Sequence, residues 1–197
     1  MILALDSSTS QGSVALVDDG RVVWQVAIET PRGRGGALFS ALEEILRKRP
    51  DIRRVVAGTG PGSYNGIRSA LAVAWGIATA RGVPLVGISS LLGLAEGEYC
   101  AAGDARCGQF YFARVSEGRF LNAPILFERE ALMREIDGAG EQPLFVPSTI
   151  DFLPQGVIAA PDAARLARIG AGGHPSRDIP EPLYLKPAHI TAAKGKP

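Results

Sequence analysis

The chain has 197 residues, 46% hydrophobic and 21% charged, with a formal net charge of +1. That is the composition of a well-buried globular chain of one large domain or two small ones, without the basic field that marks nucleic-acid binders. No apolar run reaches membrane-spanning length, and Asp6 breaks the apolar start too early for a secretory signal. Cys100 and Cys107 form no metal or redox motif, so a reduced, soluble, cytoplasmic protein is the expectation.

Residues 2–5 are apolar and run into a polar turn, Asp6 followed by Ser7, Ser8, Thr9 and Ser10. Residues 13–17 and 21–28 read as strands joined by the hairpin signal Asp18-Asp19-Gly20. A helix follows over 36–49, where Leu38, Leu42, Ile45 and Leu46 fall at helical spacing and Pro50 ends the run. Its basic end, Arg47, Lys48 and Arg49, reads as a solvated last turn favoured by the helix dipole. Next come a strand at 53–57, a glycine-rich loop, a helix over 67–80 and a strand at 85–88. Ser89 or Ser90 caps a short helix through Leu94 and Ala95. Strands at 99–104 and 109–115 join around Gly108; after a turn at Ser116, Glu117 and Gly118, a helix covers 128–136. Pro180 and Pro182 hold residues 181–185 extended.

Three strands in hairpin succession, followed by alternating strands and helices, imply a mixed sheet with helices on both faces. That is the element order of the ribonuclease-H-like or actin-like ATPase fold. The second half begins in the same way and then shortens. The expectation is an α/β protein of two lobes with mixed sheets, residues 1–97 forming the first and 98–197 a smaller, degenerate second with a C-terminal tail.

The glycine loop carries Gly58, Gly60, Gly62 and Gly66, which permit tight turns and close backbone approach. The free amides of the following helix can hold an anion. The segment lacks the lysine of a Walker A loop and the spacing of a dinucleotide fingerprint. Two readings stay open: an anion site, or a strand-to-helix turn capped by Ser63 or Asn65. The two helices say more. On 36–49, Leu38, Phe39, Ala41, Leu42, Ile45 and Leu46 make an apolar arc wider than one sheet contact needs. The 67–80 helix has almost no polar side chain, and Ala72, Gly76 and Ala80 make a smooth ridge. Such a helix needs cover on two sides.

Several separated segments resemble the TsaB (YeaZ) family of bacterial accessory subunits for threonylcarbamoyladenosine modification of tRNA. They are residues 2–9 with 13–16, the segment Gly60-Pro61-Gly62-Ser63-Tyr64-Asn65-Gly66-Ile67-Arg68 with Leu71 to Ala74, Asp104 to Arg106 with Gly108 to Tyr111, and Pro182 to Lys186. The chain departs from the family at Asn65, where threonine is usual, and at residues 30–36, where many relatives carry a histidine.

The resemblance implies a non-catalytic subunit that binds and supports TsaD. TsaD transfers threonylcarbamoyl to adenosine 37 of tRNAs reading codons that begin with A, with the ATPase TsaE in the assembled complex. It further implies a homodimer when alone and at most indirect contact with tRNA. TsaD holds a metal through a His-x-x-x-His pair on its first long helix; residues 36–49 contain no histidine, and only His174 and His189 occur anywhere. No catalytic and no metal residues are therefore expected. Leu38, Leu42, Ile45, Ala70, Val73, Ala74 and Ile77 are the expected docking residues. The alternative is a nucleotide-dependent actin-like enzyme. In it Asp6, Ser7, Ser8 and Thr9, with Gly60, Gly62, Ser63 and Gly66, form a weak phosphate site for ATP or ADP with magnesium.

Overall fold

Strands β1 (Ile2–Asp6), β2 (Gln11–Asp18) and β3 (Arg21–Glu29) form an antiparallel meander. Asp19 and Gly20, both at positive φ, close its second hairpin. The structure, a computed structural model, describes residues 1–29, 36–48, 50–174 and 179–186. The stretch 30–35, Arg49 and His189 lie outside them. Helix α1 (Gly36–Arg47) leads to β4 (Arg54–Gly58), α2 (Tyr64–Arg81) and β5 (Leu85–Ile88). β4 pairs parallel with β1 and β5 parallel with β4, giving the order β3-β2-β1-β4-β5.

The short apolar runs of β1 and β4 are buried on both faces, as central parallel strands must be. Leu3, Leu5 and Val55 pack under α1 and α2, against Leu38, Leu42, Ile45, Ile67, Ala70 and Ala74. α2 starts three residues before the sequence expectation, capped by Ser63, whose Oγ accepts the Gly66 amide, and Gly82 ends it at φ +63°.

A 3-10 turn over Ser90–Gly93 leads into β6 (Glu98–Asp104), β7 (Gln109–Ser116) and β8 (Arg119–Glu128), a second antiparallel meander. Helix α3 (Arg129–Gly138) precedes β9 (Leu144–Val146), which pairs parallel with β6, and the two-residue β10 (Val157–Ile158), parallel with β9. The order β10-β9-β6-β7-β8 repeats the first sheet's connectivity. α3 stands where α1 stands in the first lobe, while residues 147–156, in the place of α2, hold only turns. The chain thus has the two-lobed, mixed-sheet α/β architecture of the actin-like, ribonuclease-H-like fold, with a shortened second lobe.

Helix α4 (Ala163–Ala171) returns to the first lobe and covers its other face. Ala163, Ala164, Leu166 and Ala167 pack on Ala4, Ala15, Val17, Val56 and Val86. Small side chains on both partners let helix and sheet approach closely: a Cβ on Gly170 would lie 2.6 Å from a Val56 methyl. Polar bonds fix both helix ends. Asp162 accepts the Ala164 amide at 2.7 Å, and the Arg54 guanidinium donates to the Gly170 and Gly173 carbonyls at 2.8 and 2.9 Å. No helix among the described residues is long and apolar enough to cross a membrane.

Candidate functional site

The eight residues expected at a phosphate site do come together, but largely to bond one another. Asp6, at the end of β1, is wholly buried. Its Oδ1 accepts from the Ser8 amide and hydroxyl at 2.8 and 2.7 Å, and its Oδ2 from the Ser90 hydroxyl at 2.5 Å. Ser90 Oγ accepts in turn from the Gly60 amide at 2.9 Å. A Cβ on Gly58 would stand 1.7 Å from Asp6 Oδ2, so this glycine exists to admit the carboxylate.

Further along the loop, backbone lies on backbone. Ser63 N–H donates to the Ser8 carbonyl at 2.6 Å, and Ser7 Oγ donates to the Gly66 carbonyl at 2.8 Å. A Cβ on Gly62 would sit 2.1 Å from the Ser8 oxygen, and one on Gly66 1.9 Å from the Ser7 oxygen. Thr9 Oγ1 donates to the Gln11 carbonyl at 2.6 Å, a local turn bond. Asp6, Ser7, Ser8 and Ser63 each have a partner inside the chain. Among the described residues no group of three or more histidine, cysteine or acidic side chains is placed to hold a metal ion.

Burial pushes the Asp6 carboxyl above its ordinary value of 3.8, against the hydrogen bonds from Ser90 and Ser8 that pull it down. The folded chain therefore holds this proton more tightly than the unfolded chain. The stability Asp6 contributes is fully present below about 3.8 and is lost as pH rises through the folded value. Asp6→Asn keeps an acceptor for Ser8 and offers Ser90 an amide, without a charge to bury. Urea unfolding should show the variant gaining on the native chain as pH rises from about 4 to about 7; a difference that stays flat or shrinks would refute the assignment.

The expected docking residues are corrected by their placement. Leu38, Leu42, Ile45, Ala70 and Ala74 face inward and belong to the core under the first sheet; Val73 and Ile77 are half-buried. Helical periodicity finds an apolar stripe without saying which way it points, and the most regular stripe is the one the sheet covers. The outer face is different. On α1, Phe39 is 56% exposed; on α2, Trp75 is 44% exposed beside exposed Ala72, Gly76 and Ala80. No atom lies within 4 Å of where a Gly76 Cβ would be. Trp75 went unmarked in sequence because it sits between the positions of the inward stripe; a tryptophan there is itself the missed signal. At the start of the same helix Tyr64 lies 46% exposed, under the Arg68 guanidinium, which also bonds its hydroxyl.

An open cleft of about 920 Å³ separates the lobes. Ser7 to Ser10 and Pro61 to Gly66 line one wall, and Asp104 to Arg106 with Tyr111 the other.

A family model described as TsaD, tRNA N6-adenosine threonylcarbamoyltransferase, matches residues 36–124. The tRNA threonylcarbamoyladenosine biosynthesis protein TsaB of Escherichia coli (strain K12) is 34% identical over 124 residues, 57% of this chain and 53% of that protein. The TsaB of Haemophilus influenzae is 31% identical over 128 residues, 58% of this chain and 53% of its own length. The chain spans about half the length of the curated relatives it matches. A crystal structure from Pseudomonas aeruginosa, described as an uncharacterized protein with similarity to peptidase YEAZ, superposes with a TM-score of 0.76 at 24% identity. It covers 94% of this chain and 99% of that one, and it shares the fold.

Proposed function

We propose that the chain is a member of the TsaB (YeaZ) family and a non-catalytic subunit of tRNA threonylcarbamoyladenosine biosynthesis, docking on a TsaD homologue through the outer face of α1 and α2. The curated relatives support the pathway by name. The observation that carries the docking reading is Gly76. Glycine in an exposed helix interior costs roughly 1 kcal/mol relative to alanine, and no neighbour in this chain requires it. Flanked along α2 by Ala72, Ala80 and Trp75, it makes a flat apolar ridge onto which another helix can close at short range.

In this reading the TsaD homologue carries the transfer of threonylcarbamoyl to adenosine 37 of tRNAs reading A-starting codons and the contact with RNA. A TsaE ATPase joins the assembled complex, and a second copy of this chain covers the ridge when TsaD is absent. The bonded knot of Asp6, Ser8, Ser90 and Gly60 serves as a fastener between hairpin and loop rather than as a nucleotide site, a reading supported by the burial of Asp6. The test is genetic and chemical. A host deprived of this chain should lose threonylcarbamoyladenosine from its tRNA by mass spectrometry, and plasmid-borne chain should restore it. Unaltered modification in the deprived host would overturn the reading.

A further inference from the structure

The chain crosses between its lobes near residues 89–97 and again near 159–162, and these two crossings are bonded to each other. Asp162 N–H donates to the Gly93 carbonyl at 3.0 Å, and Arg165 Nη1 to the Leu94 carbonyl at 2.9 Å. That corner ties the two crossings together. Residues 179–186 cross a third time, at the mouth of the cleft.

The first-lobe end of this strap is firmly seated. Pro180 is buried against Gly87, where a Cβ would lie 2.5 Å from the proline ring, and Leu183 N–H donates to the Thr59 carbonyl at 2.8 Å. Tyr184 then stacks on Tyr64, the first residue of α2, with ring centroids 5.2 Å apart. The other end lies on the second lobe. Leu185 packs against the cluster of Leu91, Tyr99 and Tyr111, and Lys186 Nζ donates to the Arg106 carbonyl at 2.7 Å. Arg106 and Cys107 hold positive φ in the β6–β7 turn, whose shape is fixed by Asp104 accepting the Arg106 amide at 2.6 Å. Leu183 to Lys186 also line the cleft they span.

We propose that residues 179–186 are a latch: anchored on the first lobe by Pro180 and Leu183, they hold the second lobe through Leu185 and Lys186 and so fix the opening of the cleft. The grip on the second lobe is the releasable one. It consists of one half-buried leucine and one lysine bond, beside an exposed tyrosine stack, whereas the first-lobe end has a buried proline and a backbone bond. Release lets the lobes part and widens the cleft that Ser7 to Ser10 line. The latch acts within the isolated chain, apart from any docking partner.

The test is a distance measurement across the cleft. Nitroxide labels at Asn65→Cys and Ser148→Cys, both exposed and on opposite lobes, are placed in a Cys107→Ser background of the full chain. The otherwise native chain should give one narrow distribution by pulsed electron resonance. Leu185→Ala with Lys186→Ala should lengthen the mean and broaden the distribution, with the circular dichroism spectrum of the folded chain retained. Lys186→Gln alone should give a smaller change in the same direction, and Tyr184→Phe, which keeps the stacked ring, should match the native distribution. A folded double variant that superposes on the native distribution overturns the latch. So does a Tyr184→Phe variant that opens as far as the double variant.

Discussion

Gly66→Ala should destabilise the fold by about 3 kcal/mol, seen as a large fall in the urea midpoint with the slope unchanged. In an ordinary helix the same change is favourable by roughly 1 kcal/mol. Here the new methyl would stand 1.9 Å from the Ser7 carbonyl oxygen, and the opposing atom is backbone. It cannot turn aside as a flexible side chain could. Relief requires lifting α2 off the β1–β2 turn, which breaks the Ser7 hydroxyl bond to Gly66 and the Ser63 amide bond to Ser8. Gly76→Ala supplies the control within the same helix. With nothing within 4 Å of the added methyl, it should raise stability by about 0.5–1 kcal/mol. If both glycines respond alike, the loop is not held by backbone contact.

Leu42→Glu should be at least as damaging, costing about 4 kcal/mol or more, enough to abolish a cooperative unfolding transition in a marginally stable chain. Leu42 is 3% exposed within the cluster of Leu3, Leu5 and Val55. The variant loses leucine packing and confines a carboxylate in an apolar site. Ala74→Arg, whose position has no exposure, should fail for the related reason of overpacking. Phe39→Glu, on the same helix as Leu42 but 56% exposed, should stay folded with a stability change within roughly 1 kcal/mol. Calorimetric melting of the variants separates the inward face from the outward one. A folded Leu42→Glu chain beside an unfolded Phe39→Glu chain would invert the assignment.

The first lobe was legible because its signals are local. Asp19 and Gly20 close a hairpin where the sequence says they should, and β1 and β4 are short apolar runs with nothing else to be. β8 was not assigned from sequence; it carries Pro124 and is an edge strand, where proline is tolerated, and its register with β7 slips around Arg114. α4 was passed over because its inward face is mostly alanine and its capping partners, Asp162 apart, lie far away in sequence: Arg54 at its end and Ser13, which accepts the Ala163 amide, at its start.

Long-range contact also explains the glycine loop. Gly58, Gly62 and Gly66 are glycines because of Asp6, Ser8 and Ser7, more than fifty positions earlier, so phosphate chemistry and close packing leave the same local pattern. The exposed apolar face of α1 and α2 was half legible. Phe39 and the ridge Ala72, Gly76, Ala80 were visible as surplus apolar surface, but the direction of each stripe depends on where the sheet lies.

The most direct measurement is calorimetric titration of the purified chain against the TsaD homologue of its own host, comparing native chain with Trp75→Arg. Trp75 is 44% exposed at the side of the ridge, so arginine there leaves the core untouched and puts a charge into the contact. The native chain should bind tightly, and the variant should keep its melting temperature and lose affinity by roughly 100-fold or more. Equal affinity for both folded chains, or no binding by either, would contradict docking through this ridge.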